Sequence, residues 1–215
     1  MEQPRHSSDF QETDPGLAHP VPFEAPERHP RFADRLQATF RLGFRHPATF
    51  AARLALRKDV LPAWFFSVVV ALPFHALAFL LGRATFRLIS GPAHSRLTHA
   101  LLAQVPVLLL AAFALALIFH AGLWMAGGTR QRLGYRQTFR MTAYAWGFYA
   151  PLAWLPPVNL ILLPLWIGYL GFTLARLHRT EVWRGVVAVA APFLAFWCLV
   201  MLTLAALAAL PAWTR

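Results

Sequence analysis

A chain of 215 residues in which 58% are hydrophobic and only 13% charged falls well short of the roughly 25% charge of a soluble domain, which places it in the membrane class. Its net charge of +11 would suit a nucleic-acid binder, but the basic residues sit between apolar runs, the pattern of a membrane protein, so nucleic acid is excluded as a partner. The single cysteine, Cys198, excludes an intrachain disulfide and any CxxC metal or redox motif; inside an apolar run it is expected to be buried and inert.

Nineteen of the twenty basic residues are arginine, and Ala and Pro are abundant, the bias of a GC-rich and therefore bacterial coding sequence. The first apolar run starts only near Val60, so no cleavable signal peptide is expected at the N-terminus. Residues 1–30 hold six prolines, six acidic residues and two arginines with scattered apolar residues, which predicts a disordered acidic tail.

The sign of charge then flips. Residues 31–59 read as an amphipathic interfacial segment. In RFADRLQATFRLGFR, Arg31 to Arg45, the residues Phe32, Leu36, Phe40 and Phe44 share an arc of about 120° at roughly 100° per residue, and Arg31, Arg35, Arg41 and Arg45 lie opposite; Leu42 is the exception. His46-Pro47 ends this helix, because the residue before proline avoids the helical region. A second short helix is expected over 48–58, with Phe50 and Leu54 toward lipid or the bundle.

Uncharged runs follow: 23 residues from Val60 to Gly82, 26 from Leu101 to Ala126, 35 from Met141 to Ala175 and 30 from Gly185 to Thr214. Each exceeds the ~20 residues needed to cross a bilayer. The 35-residue run is too long for one crossing, and LPPVN at 155–159 breaks it. The expected membrane domain, 60–214, therefore has five transmembrane helices: 60–82, 101–126, 141–155, 158–177 and 186–210. With the N-terminus inside, the bordering segments carry 12 basic residues inside and 4 outside; a single crossing of 141–175 gives at best 10 against 6. The positive-inside rule thus predicts a cytoplasmic N-terminus and an external C-terminus in the bacterial inner membrane. Arg83, Arg87 and Arg96 stand against it. The fold class expected is all-α, a five-helix integral membrane bundle preceded by interfacial helices.

The basic cluster Arg130, Arg132, Arg136 and Arg140 reads first as a cytoplasmic anchor at anionic headgroups, together with Arg41, Arg45, Arg176 and Arg179. Pro73, Pro106, Pro151, Pro164 and Pro192 place one proline in each span, freeing a carbonyl that neighbouring helices must satisfy. No HExxH or GxSxG occurs, and the uncharged runs lack Asp, Glu, Lys and Arg. No catalytic, metal or cofactor residue is expected. The intramembrane polar candidates are His75, His120 and Gln104, read as hydrogen-bonded packing groups before proton or metal sites; His178 closes the fourth span. Trp64, Trp124, Trp183 and Trp213, with Tyr144 and Tyr149, are expected in the interfacial belt.

FRHPATF at 44–50, Gly127-Gly128, TFR at 138–140, LAWLPPVNLILLPLWIGY at 152–169 and RLHRTEVWRGV at 176–186 occur in an order that resembles the Yip family, the Yip-one domain of Ypt/Rab-interacting proteins, in its bacterial branch. The resemblance covers about residues 32–210. It implies a five-helix membrane protein without catalytic activity, related to proteins of vesicle traffic and membrane shaping that bind prenylated small GTPases. Those relatives carry DLYGP before the first span; this sequence does not, so no residue is assigned to GTPase binding. The expected function is non-enzymatic: organising or shaping the bilayer, or scaffolding protein partners or further copies of itself. Two alternatives stand beside it. One is a small transporter or channel using kinked helices, His75 and His120. The other is a lipid-acting enzyme, for which only Asp59 and Glu181 lie near an interface.

Overall fold

A long apolar segment satisfies every backbone N–H and C=O internally only as a helix, and the computed structural model is all-α, with seven helices and no strand among the described residues. Described are residues 19–55, 59–90, 94–128, 134–153 and 156–213, without the side-chain surroundings of 78–109, 153–157 and 207–213. The chain divides into two units, residues 1–57 and 58–215.

In the first unit, α1 spans Phe32–Arg45 and α2 spans Pro47–Leu54. His46 joins them, its N–H closing onto Leu42 O, and Pro47 opens α2 at the position where a missing N–H costs nothing. Residues 19–30 are not the disordered tail expected from composition. A single 3-10 turn, Pro22–Glu24, buries Val21, Phe23 and Ala25, and the Phe23 N–H donates to Thr39 Oγ1 of α1 at 2.9 Å. The Phe23 ring meets Phe32 edge-on at 5.9 Å, and the Arg35 guanidinium lies 5.8 Å from the first ring and 5.6 Å from the second. An island of four apolar residues around Glu24, too short to register in a composition average, holds this segment. On α1, Arg41, Arg45, Phe32 and Phe44 are exposed. On α2, Phe50 and Leu54 are fully buried.

In the second unit, α3 is Leu61–Ser90, α4 His94–Met125, α5 Tyr135–Ala153, α6 Pro156–Leu177 and α7 Val182–Trp213. The proline pair of LPPVN opens α6. Pro73, Pro151 and Pro164 lie inside unbroken helices. Val158–Leu177 and Val182–Ala206 are long and apolar enough to cross a membrane, and Leu61–Leu77 and Leu110–Met125 are shorter apolar stretches. Leu160, Ile161, Leu194, Phe196, Leu199 and Leu202 are exposed, an outer surface suited to lipid. Cys198 is exposed too, not buried as its apolar run suggested; α7 is so uniformly apolar that hydropathy does not distinguish its inner from its outer face.

The central helix is α5, which packs on α3, α4 and α6, while α7 packs on α6 and α4. Phe66 of α3 meets Tyr144 and Phe148 at 4.8 and 5.5 Å. Phe113 of α4 stacks on Phe139 at 4.3 Å. Trp166 of α6 donates from Nε1 to Ala145 O at 2.8 Å, and Tyr149 donates to Asn159 Oδ1 near the proline break. Tyr144 and Tyr149 are therefore core residues, not interfacial ones. Their rings fill helix contacts that an aromatic count cannot separate from a belt.

Between α6 and α7 the contact is almost backbone to backbone. A Cβ at Gly185 would stand 2.1 Å from Gly171 O and 2.9 Å from Ala175 Cβ. Helices that cannot rely on hydrophobic exclusion in lipid associate by such small-residue faces.

Candidate functional site

At the end of the bundle where α4 gives way to α5 and α6 to α7, two turns of the same construction face each other. Gly127 ends α4 at φ 70°, with Gly127 N–H bonded to Trp124 O and Gly128 N–H to Leu123 O. Arg179 ends α6 at φ 50°, with Arg179 N–H bonded to Arg176 O and Thr180 N–H to Ala175 O. Both are Schellman endings, which call for a left-handed residue at the position after the cap. Glycine takes that conformation freely; at Arg179 it costs roughly 1–2 kcal/mol. A non-glycine residue in that conformation beside a cavity suggests a functional reason for its side chain.

The two turns are tied together. Arg184 Nη1 donates to Gly127 O at 3.1 Å, and Arg184 Nε pairs with Glu181 Oε2 at 3.1 Å. Trp183 Nε1 donates to the same carboxylate oxygen at 2.6 Å. Between the turns lies an open cavity of about 340 Å³ walled by Gly127, Gly128, Thr180, Glu181 and Arg184, with His178 and Arg179 completing the lining. The Arg179 side chain is exposed and makes no hydrogen bond or ion pair among the described residues.

Behind the cavity wall runs a hydrogen-bonded chain across three helices. His178 Nε2 lies 2.9 Å from Thr138 Oγ1, and Thr138 Oγ1 lies 2.9 Å from His120 Nδ1. Thr138 has one hydroxyl proton, so it donates to one imidazole and accepts from the other. The His178 side chain is 1% exposed, and its Nδ1 has no partner among the described residues. Burial, with the His120 ring 6.0 Å away, holds the His178 imidazole down at about 4, so it is neutral at pH 7. Tyr135 stands edge-on to His120 at 6.0 Å and donates to Phe113 O at 2.9 Å, and burial raises its phenol.

The residues singled out from sequence fall into different places. Arg41, Arg45, Arg136, Arg176 and Arg179 are exposed. Arg140 is not among them: it is fully buried in α5, with Nη1 donating to Gln137 Oε1 at 3.2 Å. The basic segment that reads as a loop to residue 140 is already helical from Tyr135, and the second turn carries Arg140 inside the bundle. Arg130 and Arg132 lie outside the described residues, as does the side chain of Gln104. His75 bonds to Ala71 O at 2.9 Å, one turn back on its own helix, and stacks loosely on Trp146; it is not in the chain that joins His120 to His178. Thr138 was missed by sequence reasoning because it lies 18 and 40 residues from its two partners.

No group of three or more His, Cys, Asp or Glu side chains able to hold a metal ion occurs among the described residues. No family model, curated protein or solved structure matches the chain.

Proposed function

We propose that the chain is a five-span integral membrane protein, N-terminus cytoplasmic and C-terminus outside, that organises or shapes the bilayer or scaffolds membrane partners without catalysing a reaction, as the Yip family it resembles does. The observation that carries this reading is the Arg184–Gly127 hydrogen bond at 3.1 Å, between residues 57 apart. It sets the Gly127 turn and the turn that carries Arg179 and Arg184 at one end of the bundle. The contacts 149–159, 145–166 and 138–178 run antiparallel from the proline break back to that end. Basic loops that share an end share a side of the membrane, which is the arrangement the charge bias favours. On α1, exposed Phe32 and Phe44 beside exposed Arg41 and Arg45 suit a helix lying in the headgroup plane.

The test is accessibility of single cysteines in a Cys198→Ser background: Arg132→Cys, Asn159→Cys, Arg179→Cys and Arg215→Cys. Positions 132 and 179 are expected to label only from the cytoplasm, 159 and 215 only from outside. Labelling of 179 from outside would make 141–175 a single crossing and end the five-span reading. Reconstituted vesicles are then expected to change in diameter with protein content. Solute flux that depends on His75 or His120 would favour a transporter instead.

A further inference from the structure

We propose that the cavity between the Gly127 and Arg179 turns is a binding site for a phosphoryl group, carried by a phospholipid headgroup or by free phosphate. The inference deepens the membrane reading, since it places a headgroup-recognition site at the end of the bundle that carries the basic loops.

Charge is the first ground. Two guanidinium groups and one carboxylate line the cavity, leaving one net positive charge, the complement of a singly charged phosphodiester. Arg184 is committed to Glu181 and to Gly127 O, so its role is to hold the wall. Arg179 is the uncommitted cation, and the left-handed φ of 50° puts its side chain on a turn where glycine would be the unstrained residue. Guanidinium is the side chain best matched to phosphate oxygens, through two parallel N–H donors.

The second ground is independent. His178 lines the cavity, is 1% exposed, and leaves Nδ1 without a partner among the described residues. A buried polar nitrogen left unsatisfied costs about 1–3 kcal/mol, and His178 is part of the cavity lining, so a ligand atom that reached this ring would relieve that cost. In the arrangement where Thr138 donates to His178 Nε2 and accepts from His120, the ring proton sits on Nδ1, which is then a neutral donor to an anion. The Thr180 hydroxyl lies on the same wall. The cavity volume of about 340 Å³ accommodates a phosphodiester with its neighbouring glycerol carbons and leaves the acyl chains outside.

The experiment uses the full chain purified in dodecyl maltoside, which has no phosphate. Sodium phosphate is titrated in one arm and dioleoyl phosphatidylglycerol doped into the micelle in the other, with dioleoylglycerol as the phosphate-free control. Thermal stabilisation and the 15N resonances of His178 are read together. The expected result is saturable stabilisation with a shift of His178 Nδ1, weakened roughly 10- to 100-fold by Arg179→Gly and unchanged by substitution of the exposed Arg28, Arg28→Ala. Arg179→Gly keeps the left-handed turn, so it tests the guanidinium and not the backbone. Response to sodium phosphate identifies free phosphate as sufficient; response to phosphatidylglycerol alone identifies the headgroup. No response in either arm, an equal response to dioleoylglycerol, or an undiminished response in Arg179→Gly overturns the proposal. Detergent binding does not depend on membrane orientation, so its failure leaves the topology to be judged by cysteine labelling alone.

Discussion

Gly185→Ala is expected to be among the most damaging single-methyl changes this chain can suffer. The added Cβ would stand 2.1 Å from Gly171 O, where ordinary contact begins at 3.4 Å, so α6 and α7 must part by about 1.3 Å. No flexible side chain can give way: the obstructing atoms are a carbonyl oxygen, the backbone nitrogen of Ala175 at 3.1 Å and its Cβ at 2.9 Å. Parting also loosens the neighbouring contact at Gly171, whose own Cβ position lies 2.6 Å from Val186 Cα. Overpacking of a tight interior costs about 1–3 kcal/mol, and a rigid backbone obstacle puts this case at roughly 3 kcal/mol. Equilibrium unfolding in mixed micelles with increasing dodecyl sulfate reads the loss directly. Gly168→Ala on α6 is the internal control, because its Cβ would meet nothing within 4 Å. There the gain in helix propensity predicts a stabilisation of about 0.5–1 kcal/mol. If the two variants unfold together, the α6–α7 contact is not the close packing described, and the reasoning from it fails.

Arg179→Gly is expected to raise stability by about 1 kcal/mol in the same assay, since it relieves a left-handed arginine. Gain of stability with loss of phosphate response would mark Arg179 as held in place for binding. The His178 imidazole is held near 4 in the folded protein against 6.5 ordinarily, so the unfolded chain takes up the extra proton as pH falls between those values. Stability is then full above about pH 6.5 and is lost as pH falls toward 4, by about 3 kcal/mol at roughly 1.4 kcal/mol per pH unit. Unfolding measured at pH 7.5 and pH 4.5 should show that slope, and His178→Gln should flatten it without inverting it.

The helical class and the helix ends at His46 and at the LPPVN prolines were legible because both follow from local rules, the period of apolar residues and the missing proline N–H. What escaped the sequence depends on contacts between distant residues. Gly171 and Gly185 look like ordinary glycines in an apolar run until their helices are laid side by side. Arg140 counts as one more loop arginine until α5 is seen to start at Tyr135 and to sit at the bundle centre. The His120–Thr138–His178 chain joins three helices, and no spacing rule links residues that far apart. Cys198 shows the opposite failure: hydropathy implies burial, but the apolar face that carries it points outward from the helices.

The central position of α5 has a consequence for the surrounding bilayer. Its uncharged stretch from Met141 to Ala153 would cover only about 20 Å at roughly 1.5 Å per residue, yet nearly all of that stretch is enclosed by other helices. In a bilayer, α6 and α7 would present windows of 20 and 25 residues, with Arg176 and Arg184 near their ends, or about 30 and 38 Å. Against a hydrocarbon core of about 30 Å, α6 matches and α7 exceeds it by roughly 8 Å. In a membrane that difference would be taken up by tilt of α7 or by local thickening beside it. A difference of that size between α6 and α7 would draw the second unit toward thicker membrane and orient it within a thickness gradient, whichever headgroups are present.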